Sequence, residues 1–251
     1  MFNFFVEESA KIGSGFIISG SDYNHIKNVL RMNVGDKFLV SCNGASNLCA
    51  IKSFDGESVA VEIIEENYQD TSLPVDIILF QGLPKSDKME LIIQKAVELG
   101  VSEIYPVEMK RCVVKLDDKK KKSKTVRWQA IAESAAKQSK RNSVPTVHDA
   151  VGYSEALKRA KELDLMLVPY EAHNGMESTR EALGEIKKGN SVGILIGPEG
   201  GFEDKEIENA RENGAKIISL GKRILRTETA AITAVGMCMM YSEMFLNGED
   251  E

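Results

Sequence analysis

The sequence predicts an α/β protein in two parts: a small β-barrel over residues 1–70, and a larger domain over residues 74–251 built on a parallel sheet. Three observations predict it. Short alternating runs parted by turn formers fill the first part. After a linker, Asp70-Thr-Ser-Leu-Pro74, strand-like runs alternate with helical stretches, as when helices cover both faces of a parallel sheet. Two of the later strand-like runs end in glycine-rich loops, the place where such sheets bind ligands.

Taken in order, the first part holds strand-like runs at Phe16–Ile18, Lys37–Ser41, Leu48–Ile51 and Ser58–Ile64. Asn33-Val-Gly-Asp36, Asn43-Gly44 and Asp55-Gly56 part them, and Asp-Gly between alternating runs signals a hairpin. One helical piece, Asp22 to Leu30, interrupts the series. In the second part, strands are expected at Val75–Phe80, Ile104–Val107, Leu165–Val168, Val192–Ile196 and Lys216–Leu220. Helices are expected at Ser86–Leu99, Lys124–Arg141, Ser154–Leu163, Ser178–Lys187, Asp204–Asn213 and Arg226–Leu246. The acidic tail Gly248–Glu251 should fray.

Composition narrows the class. At 251 residues, 43% hydrophobic and 28% charged, the chain is ordinary globular protein, with no apolar run long enough for a membrane span. Its N-terminus is a poor signal peptide, lacking basic residues before the apolar ones. The four cysteines, Cys42, Cys49, Cys112 and Cys238, are scattered; they suggest neither a metal site nor a disulfide framework, and point to reduced thiols in the cytoplasm. A net charge of −6 argues against a general nucleic-acid binder. It hides an asymmetry: residues 110–141 carry 12 Lys and Arg against 3 Asp and Glu, a net of +9, leaving −15 elsewhere. Such a strip reads equally as a solvated surface or as a local phosphate-binding one. Its candidate phosphate contacts are Lys110, Arg111, Lys115, Lys119, Lys120, Lys121, Lys122, Lys140 and Arg141.

The run Ile194-Leu-Ile-Gly-Pro-Glu-Gly-Gly-Phe202 ends a strand in three glycines, a proline and one carboxylate. Glycines let a ligand approach the backbone. The dinucleotide fingerprint GxGxxG is absent, and the P-loop fails at Gly221-Lys222 because Lys216 stands where its first glycine belongs and Arg223 follows the lysine. A second loop, Ser219-Leu-Gly-Lys-Arg-Ile-Leu-Arg-Thr-Glu-Thr-Ala-Ala231, runs into a helix rich in small residues and methionine, a buried core helix or a subunit interface. Leu165–Val168 ends in Pro169-Tyr-Glu171. Three strand ends with backbone, small residues and little charge suit a mostly apolar ligand bearing an aromatic ring, and do not suit a polyphosphate.

GPEGGF followed by LGKRILRTETA resembles the RsmE family, the 16S ribosomal RNA uridine-N3 methyltransferases of the SPOUT superfamily. The likeness extends to His25–Arg31, Lys85–Gly100, Arg127-Trp-Gln-Ala-Ile-Ala132, Gln138–Arg141 and Val144-Pro145, so it covers nearly the whole chain in order. Cys112, Lys137 and Glu203 depart from the usual serine, glutamate and serine or threonine. The resemblance implies a PUA-like β-barrel that helps hold RNA, with Arg31 among its contacts. It implies a SPOUT methyltransferase domain threaded into an α/β trefoil knot, a homodimer, and 16S rRNA or the small ribosomal subunit as partner. It implies S-adenosylmethionine as cofactor, lined by Val168, Pro169, Ile196, Gly197, Pro198, Glu199, Gly200, Gly201, Leu220, Gly221, Ile224, Leu225, Arg226, Thr229 and Ala230.

Uracil N3 is a poor nucleophile until its imide proton leaves, and the negative charge then spreads onto two carbonyl oxygens. A cation near those oxygens favours the transition state. Arg226 is the candidate, with Glu199 or Glu228 as proton acceptor or as its orienting partner. Each carboxylate reads equally as a hydrogen-bond acceptor in its loop or at a helix start. His25 falls in the barrel, and His148 and His173 fall in expected loops outside the motifs. Two rivals stay open: a non-catalytic RNA-binding protein, which leaves the glycine loops unexplained, and an α/β enzyme acting on a small phosphorylated substrate, which leaves the lysine run unexplained.

Overall fold

The computed structural model describes residues 1–171 and 175–247; His173 and the tail Gly248–Glu251 lie outside the described residues. The chain divides into two compact units, Met1–Ser72 with Ala136–Val144, and Leu73–Ala135 with Pro145–Glu251. The linker expected from the sequence sits where the chain passes from one unit to the other. Residues 136–144 group with the first unit, whereas the alternation of runs predicts them in the larger domain. Hydrogen bonds explain this: Asn3 Nδ2 donates to Arg141 O at 2.9 Å, and Asn142 Nδ2 donates to Asp70 Oδ1 at 2.9 Å.

The first unit holds six strands: β1 (Asn3–Phe5), β2 (Lys11–Ile12), β3 (Gly15–Ser19), β4 (Lys37–Cys42), β5 (Ala45–Phe54) and β6 (Ser58–Glu65). They form one sheet in the order β1-β4-β5-β6-β3-β2. All neighbours are antiparallel except β1 and β4. Alternation sends Phe16, Ile18, Phe38, Val40, Cys49, Ile51, Val59 and Val61 into one apolar cluster, which Phe4 of β1 and Ile26 complete. The short α1 (Gly20–Asn24) continues into a π-helical turn, His25–Val29, which places Ile26 fully inside. β1 and β2 escape a sequence reading because they are too short to show alternation.

The second unit is an all-parallel sheet. Its strands are β7 (Asp76–Gly82), β8 (Glu103–Glu108), β9 (Thr146–Val147), β10 (Val151–Gly152), β11 (Leu165–Pro169), β12 (Ser191–Ile196) and β13 (Lys216–Ile218). The order is β10-β8-β7-β12-β11-β13, with β9 beside β8. β7 and β12 are nearly continuous apolar runs, as strands covered on both faces must be. The helices are α2 (Lys88–Glu98), α3 (Asp118–Ser139), α4 (Tyr153–Ala160), α5 (Glu177–Gly184), α6 (Asp204–Glu212) and α7 (Thr227–Phe245). α7 buries Thr227, Ala231, Ala234, Val235, Cys238 and Ser242, one stripe at helical spacing. No helix among the described residues is long and apolar enough to cross a membrane.

α3 starts at Asp118 rather than Lys124, so the lysine run lies on its first turns and not in a loop. Asp117 caps that end, its Oδ1 accepting the Lys120 N–H at 2.8 Å. Four lysines at the positive end of a helix oppose its dipole; Asp117 and Asp118 offset part of that cost.

Candidate active site

β11, β12 and β13 are neighbours, and their C-terminal ends open on one cavity of about 400 Å3. That size is within the range of small-ligand sites. Its walls are the loop after β12, from Ile196 to Phe202, and the stretch Ser219–Thr227 ahead of α7; Pro169, Tyr170 and Glu171 from the end of β11 complete it, with Ala230 and Lys88.

Each wall is fixed by named bonds. Thr227 Oγ1 donates to the Gly197 carbonyl at 2.6 Å and accepts from Gln81 Nε2 at 2.9 Å, tying β7, the first loop and α7 together inside the protein. Pro198 crosses directly over Gly82, where a Cβ would stand 2.7 Å from the proline ring. The second loop is held by Thr179 of α5, which accepts the Ser219 N–H at 3.0 Å and donates to the Ser219 carbonyl at 2.8 Å. Gly221 adopts φ +103°, open to glycine alone at little cost, and no heavy atom lies within 4 Å of where its Cβ would stand.

The glycines of the first loop serve the protein itself as much as any ligand. A Cβ on Gly197 would meet the Phe202 ring at 3.1 Å, and one on Gly200 would meet Arg111 Cβ at 2.9 Å. Gly201 turns the chain at φ +67°. After Phe202 the helix α6 is capped by Glu203, and the Glu206 carboxylate accepts the Glu203 N–H at 2.8 Å, so that a capping box persists with Glu203 in place of the usual Ser or Thr. Glu206 also accepts the Lys110 N–H at 3.1 Å, which seats the 109–112 segment beside the loop.

Of the residues expected to line a cofactor, Pro169, Ile196, Gly197, Pro198, Glu199, Gly200, Gly201, Leu220, Gly221, Ile224, Leu225, Arg226 and Ala230 border the cavity. Val168 does not: it is fully buried inside the sheet, one residue short of the strand end. Thr229 does not either, since it lies on the exposed side of the first turn of α7. Arg226 is exposed, at the residue before α7.

Glu199 and Glu228 come together through a residue that lies in the Lys85–Gly100 segment but is not among the expected site residues. Lys88, first residue of α2, places Nζ 3.2 Å from Glu199 Oε1 and 3.2 Å from Glu228 Oε2. Burial opposes the charge on Glu199, but hydrogen bonds from its own N–H, the Lys85 N–H and the Lys88 ammonium outweigh it and hold its pKa below the usual value. Glu228 Oε2 is buried and meets Lys88 as an ion pair without hydrogen-bond geometry. The signal that points to Lys88 is a lysine at the first position of a helix, where the dipole disfavours it.

The basic strip is uneven. Lys110, Lys115, Lys119, Lys120, Lys122 and Lys140 are exposed, and so is Arg31 in the first unit. Lys121 is half-buried and pairs with Glu108 at 2.8 Å. Arg111 is exposed, but its guanidinium Nη1 donates to the Gly200 carbonyl at 3.0 Å. Arg141 is half-buried, and burial lowers its pKa to about 10, so it belongs to the frame of the first unit more than to its surface. Lys140 and Arg141 fall in the first unit, while Lys110 to Lys122 fall in the second.

Fold and cleft together define the class: residues 71–239 match the RNA methyltransferase domain family, and residues 18–64 match the RNA methyltransferase PUA domain. The chain is 40% identical over 238 residues to ribosomal RNA small subunit methyltransferase E of Bacillus subtilis, covering 93% of each chain. It is 35% identical to the protein of that name from Mesomycoplasma hyopneumoniae, covering 95% of this chain and 99% of the other. Among solved structures it resembles the Neisseria gonorrhoeae ribosomal RNA small subunit methyltransferase E bound to S-adenosyl methionine, with a TM-score of 0.79 and 32% identity over 96% of this chain and 97% of that one. The chain therefore belongs to the ribosomal RNA small subunit methyltransferase E family.

Proposed function

We propose that this protein transfers a methyl group from S-adenosylmethionine to N3 of a uridine in 16S rRNA. The observation that carries the reading is the cavity at three adjacent strand ends, walled by the GPEGG and LGKRILRTETA loops. The cavity suits the cofactor's chemistry. Residues Ile196 to Gly201, Leu220, Gly221 and Arg223 to Arg226 line it, with the apolar residues Ile196, Ile224, Leu225 and Ala230 among the lining. Gly221 leaves free space where a side chain would otherwise stand. Those residues, with Pro169, would hold the cofactor.

The bound cofactor would supply an electrophilic methyl group. The chain's own residues provide the rest. Arg226 stands on the cavity wall as an exposed cation able to stabilise negative charge on the uracil carbonyls. Glu199, on the cavity wall, and Glu228, paired with it through Lys88, are the candidate proton acceptors. Arg31, Lys110, Lys115, Lys119, Lys120, Lys122 and Lys140 supply exposed charge for RNA phosphates. The Met240, Met244 and Phe245 side chains on α7 stay exposed, which supports a homodimer through that helix. Sedimentation should then give about twice 27.7 kDa. The protein works in the cytoplasm, on the small ribosomal subunit or its RNA.

Mass spectrometry of 16S RNA nucleosides from cells lacking the protein should show one 3-methyluridine missing, restored by the wild-type gene. An unchanged nucleoside profile overturns the assignment. S-adenosylmethionine at about 100 times its Kd should also stabilise the fold by roughly 2.7 kcal/mol, whereas ATP and NAD should not.

A further inference from the structure

We infer that Lys88 is a positioning residue for the cleft: its single ammonium, held between Glu199 and Glu228, sets the gap between the two walls. The inference rests on reading the cleft as the cofactor site. Three distant parts of the chain meet at this ammonium, namely the start of α2, the loop after β12, and the first turn of α7. The first loop is one wall, and α7 continues directly from the other, Ser219–Thr227. Glu199 has a second anchor, the Lys85 N–H at 3.0 Å. Glu228 Oε2 has its ion pair with Lys88 and no hydrogen bond. A buried carboxylate oxygen whose one partner is an ammonium depends heavily on it.

Lys88 stands where the α2 dipole disfavours a cation. The two carboxylates reverse the balance. The Glu228 carboxylate first, and then that of Glu199, raise the Lys88 pKa against the opposing effect of desolvation. The ammonium thus persists across the physiological range. The charged groups facing it are Glu199 from the loop and Glu228 from α7; Glu171, Arg223 and Arg226 line the same cavity.

Removing the ammonium leaves two carboxylates sharing one site. Like charges in that position push one pKa up. At high pH both are ionised, and their repulsion parts the walls. At lower pH one carboxyl takes a proton, and the pair can hydrogen-bond instead. The Lys88→Met protein should therefore bind worst at high pH and recover on acidification, a pH dependence that loss of packing alone does not give.

The test is calorimetric titration with S-adenosylhomocysteine at pH 8 and pH 6. This thioether carries no sulfonium charge for the bare carboxylates to attract. Wild type should bind with little change between the two. Lys88→Met should bind roughly tenfold to a hundredfold more weakly at pH 8, the effect of removing one charge-assisted interaction, and the deficit should shrink at pH 6. Lys88→Arg should restore most of the affinity. Lys88→Met with Glu228→Gln should lose the pH dependence. Should Lys88→Met fail to fold, Lys88→Gln carries the same expectations. A folded Lys88→Met protein that binds like wild type at both pH values overturns the inference. So does a deficit equal at both pH values that Lys88→Arg leaves unrepaired. A wild-type protein that binds no S-adenosylhomocysteine sinks the cofactor reading itself, and the role of Lys88 with it.

Discussion

Arg111 lies across Gly200: its Nη1 donates to the Gly200 carbonyl at 3.0 Å, and its Cβ would sit 2.9 Å from any Cβ placed on that glycine. A Gly200→Val protein must therefore push the 109–112 segment and the first loop apart. S-adenosylmethionine affinity should be abolished while the melting curve stays cooperative. Arg111→Ala does not relieve that clash, since alanine keeps both the Cβ and the carbonyl that crowd Gly200. Alone, Arg111→Ala removes one hydrogen bond of about 1 kcal/mol and should raise the cofactor Kd several-fold. An unchanged Kd in a folded Gly200→Val protein would place the ligand elsewhere.

Arg226→Ala should leave cofactor and RNA affinity largely intact and slow methyl transfer by about two to three orders of magnitude, as removal of an oxyanion donor does. Single-turnover assays at saturating RNA read the chemical step directly. A rate within threefold of wild type would remove Arg226 from the chemistry.

Replacing Lys119–Lys122 with serine should weaken RNA binding and flatten its salt dependence without touching cofactor affinity. Each phosphate that is no longer neutralised should reduce the log–log slope by about 0.7 to 0.9. The full set should act through at most three residues, because Lys121 is already committed to Glu108. Lys121→Ser alone should therefore leave the slope unchanged. A fourfold mutant with the wild-type slope would assign RNA binding to other residues, Lys110, Lys115 and Lys140 first.

Glu199 gives a pH signature. Its folded pKa lies below its ordinary value of 4.5. The stability it contributes is therefore complete above that ordinary value and is lost as the pH falls through the lower folded one. Scanning calorimetry should show Glu199→Gln melting below wild type at pH 6, with the gap narrowing as the pH falls below 4.5. A gap that does not narrow on acidification would mean that the glutamine disturbs packing rather than charge.

Much of this was legible in the sequence, and the failures have physical causes. The longer strands and all the principal helices of the second unit follow from runs that change period, because strands such as β7 and β12 are buried on both faces. The cavity loops are visible because glycine has few reasons to cluster at a strand end. The reason for each glycine was not visible: Gly200 answers to Arg111, far earlier in the chain, and Gly82 answers to Pro198. Lys88 reads as part of a helix because its two partners lie in other segments. Val168 stands out as the end of an apolar run, yet the penultimate residue of β11 points into the core while Pro169 meets the cavity. Residues 136–144 carry no local mark of their partners, since Asn3 and Asp70 bind them through single polar groups.

The order of strands in the second sheet has a consequence for synthesis. β7 and β8 can pair as soon as both leave the exit tunnel. β11 cannot, because both of its sheet partners, β12 and β13, lie later in the chain. A nascent chain halted before residue 191 thus holds β11 with no strand to bind and β7 with one bare edge. Such edges invite pairing with other chains. The cavity, which needs the ends of β11, β12 and β13 at once, comes into being only after vectorial growth has passed Ile218. Chains released early should accumulate as aggregates rather than as partly competent protein.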